Sequence, residues 1–137
     1  MWNKGVKLLI SLCLLSSILI GCQQNQDVVE ETKNDVEFTV CHEENLPNEL
    51  KQLIEKKKEK PFHLSYTTKE YAYIAVGYGE QNMGGYSIQV LSLYETPSQV
   101  VIETNLKGPL PSEKKQGISY PYVVVKIQNP DKTISFR

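Results

Sequence analysis

The side chains able to do chemistry in these 137 residues are few: two histidines, three cysteines, scattered serines and a run of closely spaced glycines. His42 follows Cys41 directly, so on a strand the two would point to opposite faces, and neither His42 nor His63 has partners at metal-ligand spacing. Ser87, Ser92 and Ser119 lie in or beside strand-like stretches, without the Gly-x-Ser-x-Gly turn that exposes a nucleophile. Gly77-Tyr78-Gly79-Glu80-Gln81-Asn82 lacks the third glycine of a dinucleotide fingerprint. Gly79 to Gly84 is followed by Gly85, where a phosphate loop needs a lysine. Each catalytic or cofactor template fails on a named residue, so no enzyme, cofactor or metal is expected. Recognition remains, and its natural carrier is a glycine-rich loop that presents backbone groups from a rigid scaffold. The candidate contacts there are Tyr78, Gln81, Asn82, Met83, Gly84, Gly85 and Tyr86. Tyrosine offers large amphipathic area at low entropic cost, and methionine adapts to irregular surfaces.

The elements that must hold this loop follow from periodicity. Ala72, Ile74 and Val76 alternate with tyrosines, and Tyr86, Ile88 and Val90 alternate with Ser87 and Gln89, so two half-buried strands flank the loop as a long antiparallel hairpin. Val36-Glu37-Phe38-Thr39-Val40 reads as a first strand with Val36, Phe38 and Val40 inward. Asn45 and Pro47 signal a helix start. Leu46, Leu50, Leu53 and Ile54 then form one narrow stripe on an amphipathic helix over about 47–58, whose lysine-rich end suits the negative pole of the helix dipole. Pro61 stops that helix. Further strands are expected at 62–66, 100–104, 120–128 and 133–136, whereas Lys107 to Gly117 carries too much turn chemistry for a strand and reads as a second long loop. About seven short strands and one helix predict a mainly β (α+β) domain, an antiparallel sandwich or partly open barrel.

Gly79-Glu80-Gln81-Asn82-Met83-Gly84-Gly85-Tyr86, with Tyr120-Pro121-Tyr122 ahead of the valine-rich strand, resembles the C-terminal domain of the protease complex subunit PrcB family. Asn82 and Met83 stand where that family's pattern has Pro and Thr. The resemblance covers roughly 61–127 and implies a non-catalytic accessory module associated with a surface or secreted protease. Asn82 to Tyr86 also looks like a shortened form of the loop of chagasin-type protease inhibitors, without its Pro-Thr-Thr core. The alternative expectation is therefore a direct inhibitor that uses residues 79–86 as a wedge.

The N-terminal stretch sets the compartment. Lys4 and Lys7 precede an apolar run from Leu8 to Ile20, too short to span a bilayer comfortably, and Leu19-Ile20-Gly21-Cys22 resembles the lipobox of bacterial lipoproteins. That resemblance implies a signal peptide over 1–21, lipidation of the Cys22 sulfur and anchoring at the extracytoplasmic face of the cell membrane. More than one acyl chain is needed for stable anchoring, at about 0.8 kcal/mol per buried methylene. Residues 22–35 are polar and acidic and read as a disordered tether, with the β domain over 36–137. The thirteen residues from Gln23 to Asp35 would reach roughly 45 Å when extended. Loss of Lys4 and Lys7 leaves thirteen basic against sixteen acidic residues, a net charge of −3 without a basic stripe, which excludes a nucleic-acid partner. Cys13 goes with the signal and Cys22 takes the lipid, so Cys41 has no disulfide partner and is expected to be a small buried hydrophobe.

Overall fold

The computed structural model describes residues 30–137, and a single compact unit spans Glu31–Arg137. The signal peptide, the lipidation of Cys22 and most of the tether fall on residues outside the described ones. Strand pairing begins at Asn34, two residues inside the stretch expected to be tether.

In chain order the elements are β1 (Asn34–Asp35), β2 (Thr39–Val40), a 3-10 turn (Glu43–Asn45), α1 (Asn48–Lys57), β3 (Pro61–Thr67), β4 (Tyr71–Tyr78), β5 (Gln81–Gly84), β6 (Ser87–Glu95), β7 (Gln99–Lys107), β8 (Lys115–Ser119), β9 (Tyr122–Gln128) and β10 (Thr133–Phe136). They form one four-stranded sheet in the order β1-β6-β7-β10, a second in the order β2-β9-β4-β3, and a two-stranded ribbon, β5-β8. The architecture is sandwich-like and not a closed barrel. Every pairing is antiparallel except β10 with β7, which is parallel.

Two apolar clusters separate three layers. Ala72, Ile74, Val125 and Ile127 from one sheet meet Leu93, Val100 and Ile102 from the other. The opposite face of the β3-β4-β9 sheet presents Phe62, Ala75 and Val124 to Leu46, Leu50 and Ile54 on and before α1. β4 and β9 are covered on both faces, which is why they carry the longest apolar runs. Each fully buried isoleucine, leucine or valine contributes about 1.5–3 kcal/mol of transfer free energy. Pro47 sits at the N-cap position of α1, Leu50 and Ile54 are fully buried as the stripe predicted, and Lys56 and Lys57 occupy its last turn.

Three sequence expectations change. Of the strand expected at 36–40 only Thr39–Val40 is strand, as β2 paired with β9, because 36–38 is the crossing between layers from β1, which pairs with β6 in the other sheet. Val36 turns toward the core while Phe38 and Val40, expected inward, are 41% and 52% exposed. β4 and β6 are not partners in a hairpin. Their alternation is real, but each faces the shared core from a different sheet, so their apolar sides meet across the sandwich and not edge to edge. Finally, part of the presumed second loop is strand β8, paired with β5.

Cys41 is partly buried against the α1 cluster, and its amide donates to the Val124 carbonyl at 2.9 Å. Burial pushes its thiol up, and Lys126 pulls it partway back. His42 is exposed ahead of the 3-10 turn, whereas His63 stacks on Phe136 with ring centroids 4.4 Å apart, joining the two sheets at their β3 and β10 edges.

Candidate recognition ribbon

The glycine-rich stretch leaves β4 at Tyr78 and returns to β6 at Ser87, crossing from one sheet to the other. A crossing of this kind leaves backbone groups that neither sheet can satisfy. They are satisfied by the second irregular stretch: β5 pairs with β8 in the register Gln81 with Ser119, Met83 with Gln116 and Gly84 with Lys115, with an irregularity between Gln81 and Met83. At that irregularity the Ser119 hydroxyl donates to the Met83 carbonyl at 2.6 Å. The two segments read from sequence as separate loops are one ribbon.

Both feet of the ribbon are tied down. On one side the Glu80 amide donates to the Glu59 carbonyl at 3.1 Å, and the buried Gly79 lies against Pro61. On the other, the Tyr78 amide donates to the Pro121 carbonyl at 3.0 Å, and the Lys58 ammonium stands 5.4 Å over the Tyr120 ring while paired with Glu55 at 2.8 Å. Tyr122 packs into the α1 cluster, and its phenol is pushed up by burial and then by Glu43 and Glu55. The glycine motif and the Tyr-Pro-Tyr motif, forty residues apart in the chain, therefore meet at the ribbon's base and hold it.

The candidate contacts divide by position. Tyr78 faces inward, and its hydroxyl lies 2.7 Å from that of Thr104, joining the two sheets. Gln81 is half-buried, and its side-chain amide donates to the Tyr78 carbonyl at 3.3 Å. Asn82 is exposed, and Met83 is half-buried beside it. Gly84 packs against Lys115. Gly85, at a φ of 94°, has the Glu113 carbonyl oxygen only 2.3 Å from where a Cβ would stand. Tyr86 lies next to Gly108. Asn82 thus remains the one exposed side chain of the seven, while the glycines and Tyr86 pack the ribbon onto the turn that follows β7. A free inhibitory wedge would have to carry β8 with it.

Sequence reasoning missed the other half of this surface. Leu110 and Ile118 are 57% and 62% exposed, among exposed Lys107, Lys114 and Lys115. The Glu113 carboxylate turns back to accept the Leu110 amide at 3.3 Å. The signal was present as Ile118 and Leu110 within an otherwise polar stretch, an apolar pair with no element to bury it. At the other end of the sandwich an open groove of about 780 Å³ passes Asp35, Phe38, Tyr71 and Lys126. Lys126 already occupies one face of Tyr71 there, 4.7 Å from the ring centroid, and the groove mixes both charges. Among the described residues no group of three histidine, cysteine or carboxylate side chains is placed to hold a metal.

No curated protein and no solved structure matches the chain. Residues 72–128, from the second residue of β4 to the last of β9, match the family model described as PrcB C-terminal, so this stretch is similar to that family, as the motifs at the two feet of the ribbon implied.

Proposed function

We propose that the chain is a non-catalytic accessory module, anchored through lipidated Cys22 at the extracytoplasmic face of the membrane, whose β5-β8 ribbon docks on a protease or another envelope protein. The match to PrcB C-terminal supports an accessory role in a protease complex. The observation that carries the assignment to the ribbon is its construction. Two irregular segments are fastened at both feet, yet the surface they make exposes Ile118, Leu110 and Asn82 instead of burying them. Exposed apolar anchors ringed by polar groups mark protein contacts.

The topology suits presentation from an anchor. Asn34 pairs with Glu95 at the end of β6, while the ribbon joins β6 at Ser87. Eight strand steps separate the two, roughly 26 Å. A tether attached at Asn34 leaves the ribbon at the far end of the sandwich.

The experiment is capture from the native envelope with the full chain. Intact protein takes up labelled palmitate and retains a discrete partner. Cys22→Ser loses the label, and Ile118→Asp loses the partner while keeping the label. Identical partners for intact and Ile118→Asp protein would remove the ribbon from the reading, and an unlabelled intact chain would remove the anchor.

A further inference from the structure

Among the described residues six large apolar side chains stand exposed: Phe38, Val40, Tyr71, Leu91, Leu110 and Ile118. Leu110 and Ile118 belong to the ribbon. Phe38, Val40 and Tyr71 gather away from it, because β2 sets Thr39 opposite Lys126 and Val40 opposite Val125, while β4 sets Tyr71 opposite Gln128 at the far end of β9. The open groove at this end is lined by Phe38 and Tyr71 together with Asp35, Glu37 and Lys126. None of these three charges is in an ion pair among the described residues, and Lys126 lies over the Tyr71 ring.

We infer, on the reading that Cys22 carries the lipid, that this end of the domain lies on the bilayer, with Phe38, Val40 and Tyr71 entering the headgroup region of zwitterionic phospholipid. Reach favours the bilayer as the occupant. Cys22 and Asn34 are twelve residues apart, so however the chain between them runs, the lipid holds Asn34 within about 42 Å of the membrane. Phe38 and Val40 follow within six residues. A surface held that close meets the membrane at roughly millimolar effective concentration, so weak contact suffices. Tyrosine rings and lysine stems settle at headgroup level, where their apolar parts meet acyl chain and their polar tips stay wet. The groove's charges suit a headgroup that carries both signs: Asp35 and Glu37 face its ammonium, and Lys126 its phosphate. Two carboxylates against one ammonium oppose a purely anionic surface.

The ribbon, at the other end, stays free for a protein partner. A tryptophan reporter gives the test, since the chain's one tryptophan, Trp2, lies ahead of Cys22 and leaves with the signal. Processed Phe38→Trp protein is checked for its lipid by intact mass and reconstituted into vesicles of phosphatidylcholine brominated high on its acyl chains. Emission from position 38 is quenched roughly twofold or more, whereas a Leu110→Trp reporter at the ribbon is unaffected. Adding Val40→Asp to the position-38 reporter removes the quenching, and brominated phosphatidylglycerol quenches it less than phosphatidylcholine does. Lipidated protein with no more quenching at position 38 than at 110 overturns the inference and leaves the anchor standing. A chain without lipid removes both. Position 38 shielded from acrylamide but not quenched by bromine means that protein, a second copy or another segment, covers the patch, which also overturns the inference. Quenching by phosphatidylglycerol alone does the same.

Discussion

Replacing Gly77 with alanine lowers the thermal midpoint of the full chain by roughly 15 °C, the largest loss expected from a single added methyl group. Gly77 lies directly opposite Phe62 in the β3-β4 register, and the Phe62 ring crosses the space where its side chain would be. A Cβ on residue 77 would stand 2.1 Å from a ring carbon. Phe62 is held at the edge of the α1 cluster against Leu50 and Ile54, so its ring can leave only by opening that cluster. Overpacking of this kind costs about 3 kcal/mol, and each kcal/mol is about 4–8 °C for a domain of this size. The cause is separable by a double-mutant cycle. In a Phe62→Leu background the same Gly77→Ala change costs less than about 1 kcal/mol, because the clashing ring is gone. Equal costs in the two backgrounds would show that the loss comes from β4 backbone strain and not from the ring.

Gly85→Val acts on the ribbon and leaves the sandwich folded. The backbone at Gly85 has a φ of 94°, and its new Cβ would meet the Glu113 carbonyl oxygen at 2.3 Å and the Pro109 Cβ at 2.9 Å. The left-handed conformation alone costs a branched residue about 1–2 kcal/mol, and the backbone contact leaves the turn at 109–113 no way to yield except by moving. That turn feeds β8, so β5 and β8 separate together. The expected result is fast amide hydrogen exchange at Met83 and Ser119 with unchanged protection in β4 and β9, together with loss of partner capture. Loss of protection across both sheets would mean that the ribbon and the core form one cooperative unit.

Period-two alternation locates most of the long strands within a residue or two, and the stripe of Leu46, Leu50, Leu53 and Ile54 locates the helix, because both signals are local and follow burial, although Leu53 is only half-buried. Pairing was not legible. β4 and β6 alternate as hairpin partners would, and only the separate partners they find further along the chain, β9 for β4 and β7 for β6, decide that they face each other across a core. The crossing at 36–38 was hidden for a related reason: Phe38 and Val40 are β-forming residues whose exposure follows from the change of sheet and not from their own sequence. The candidate site was half legible. Glycine and tyrosine types singled out 78–86, yet they did not reveal that Tyr78 would be drawn inward by Thr104 or that β5 would find β8. Pro109, Pro111 and Gly117 argue against a strand there, yet β8 forms after the prolines and through Gly117 because the unpaired backbone of the crossing needs a partner.

Contact between the outward face of the β5-β8 ribbon and another protein is read most directly by placing a photoreactive amino acid at Asn82 or Ile118, or at the exposed helix position Gln52 as a control, and irradiating intact cells. One discrete heavier adduct is expected from positions 82 and 118 and none from position 52. Adducts from position 52 alone, or a ribbon that crosslinks to nothing, would contradict it.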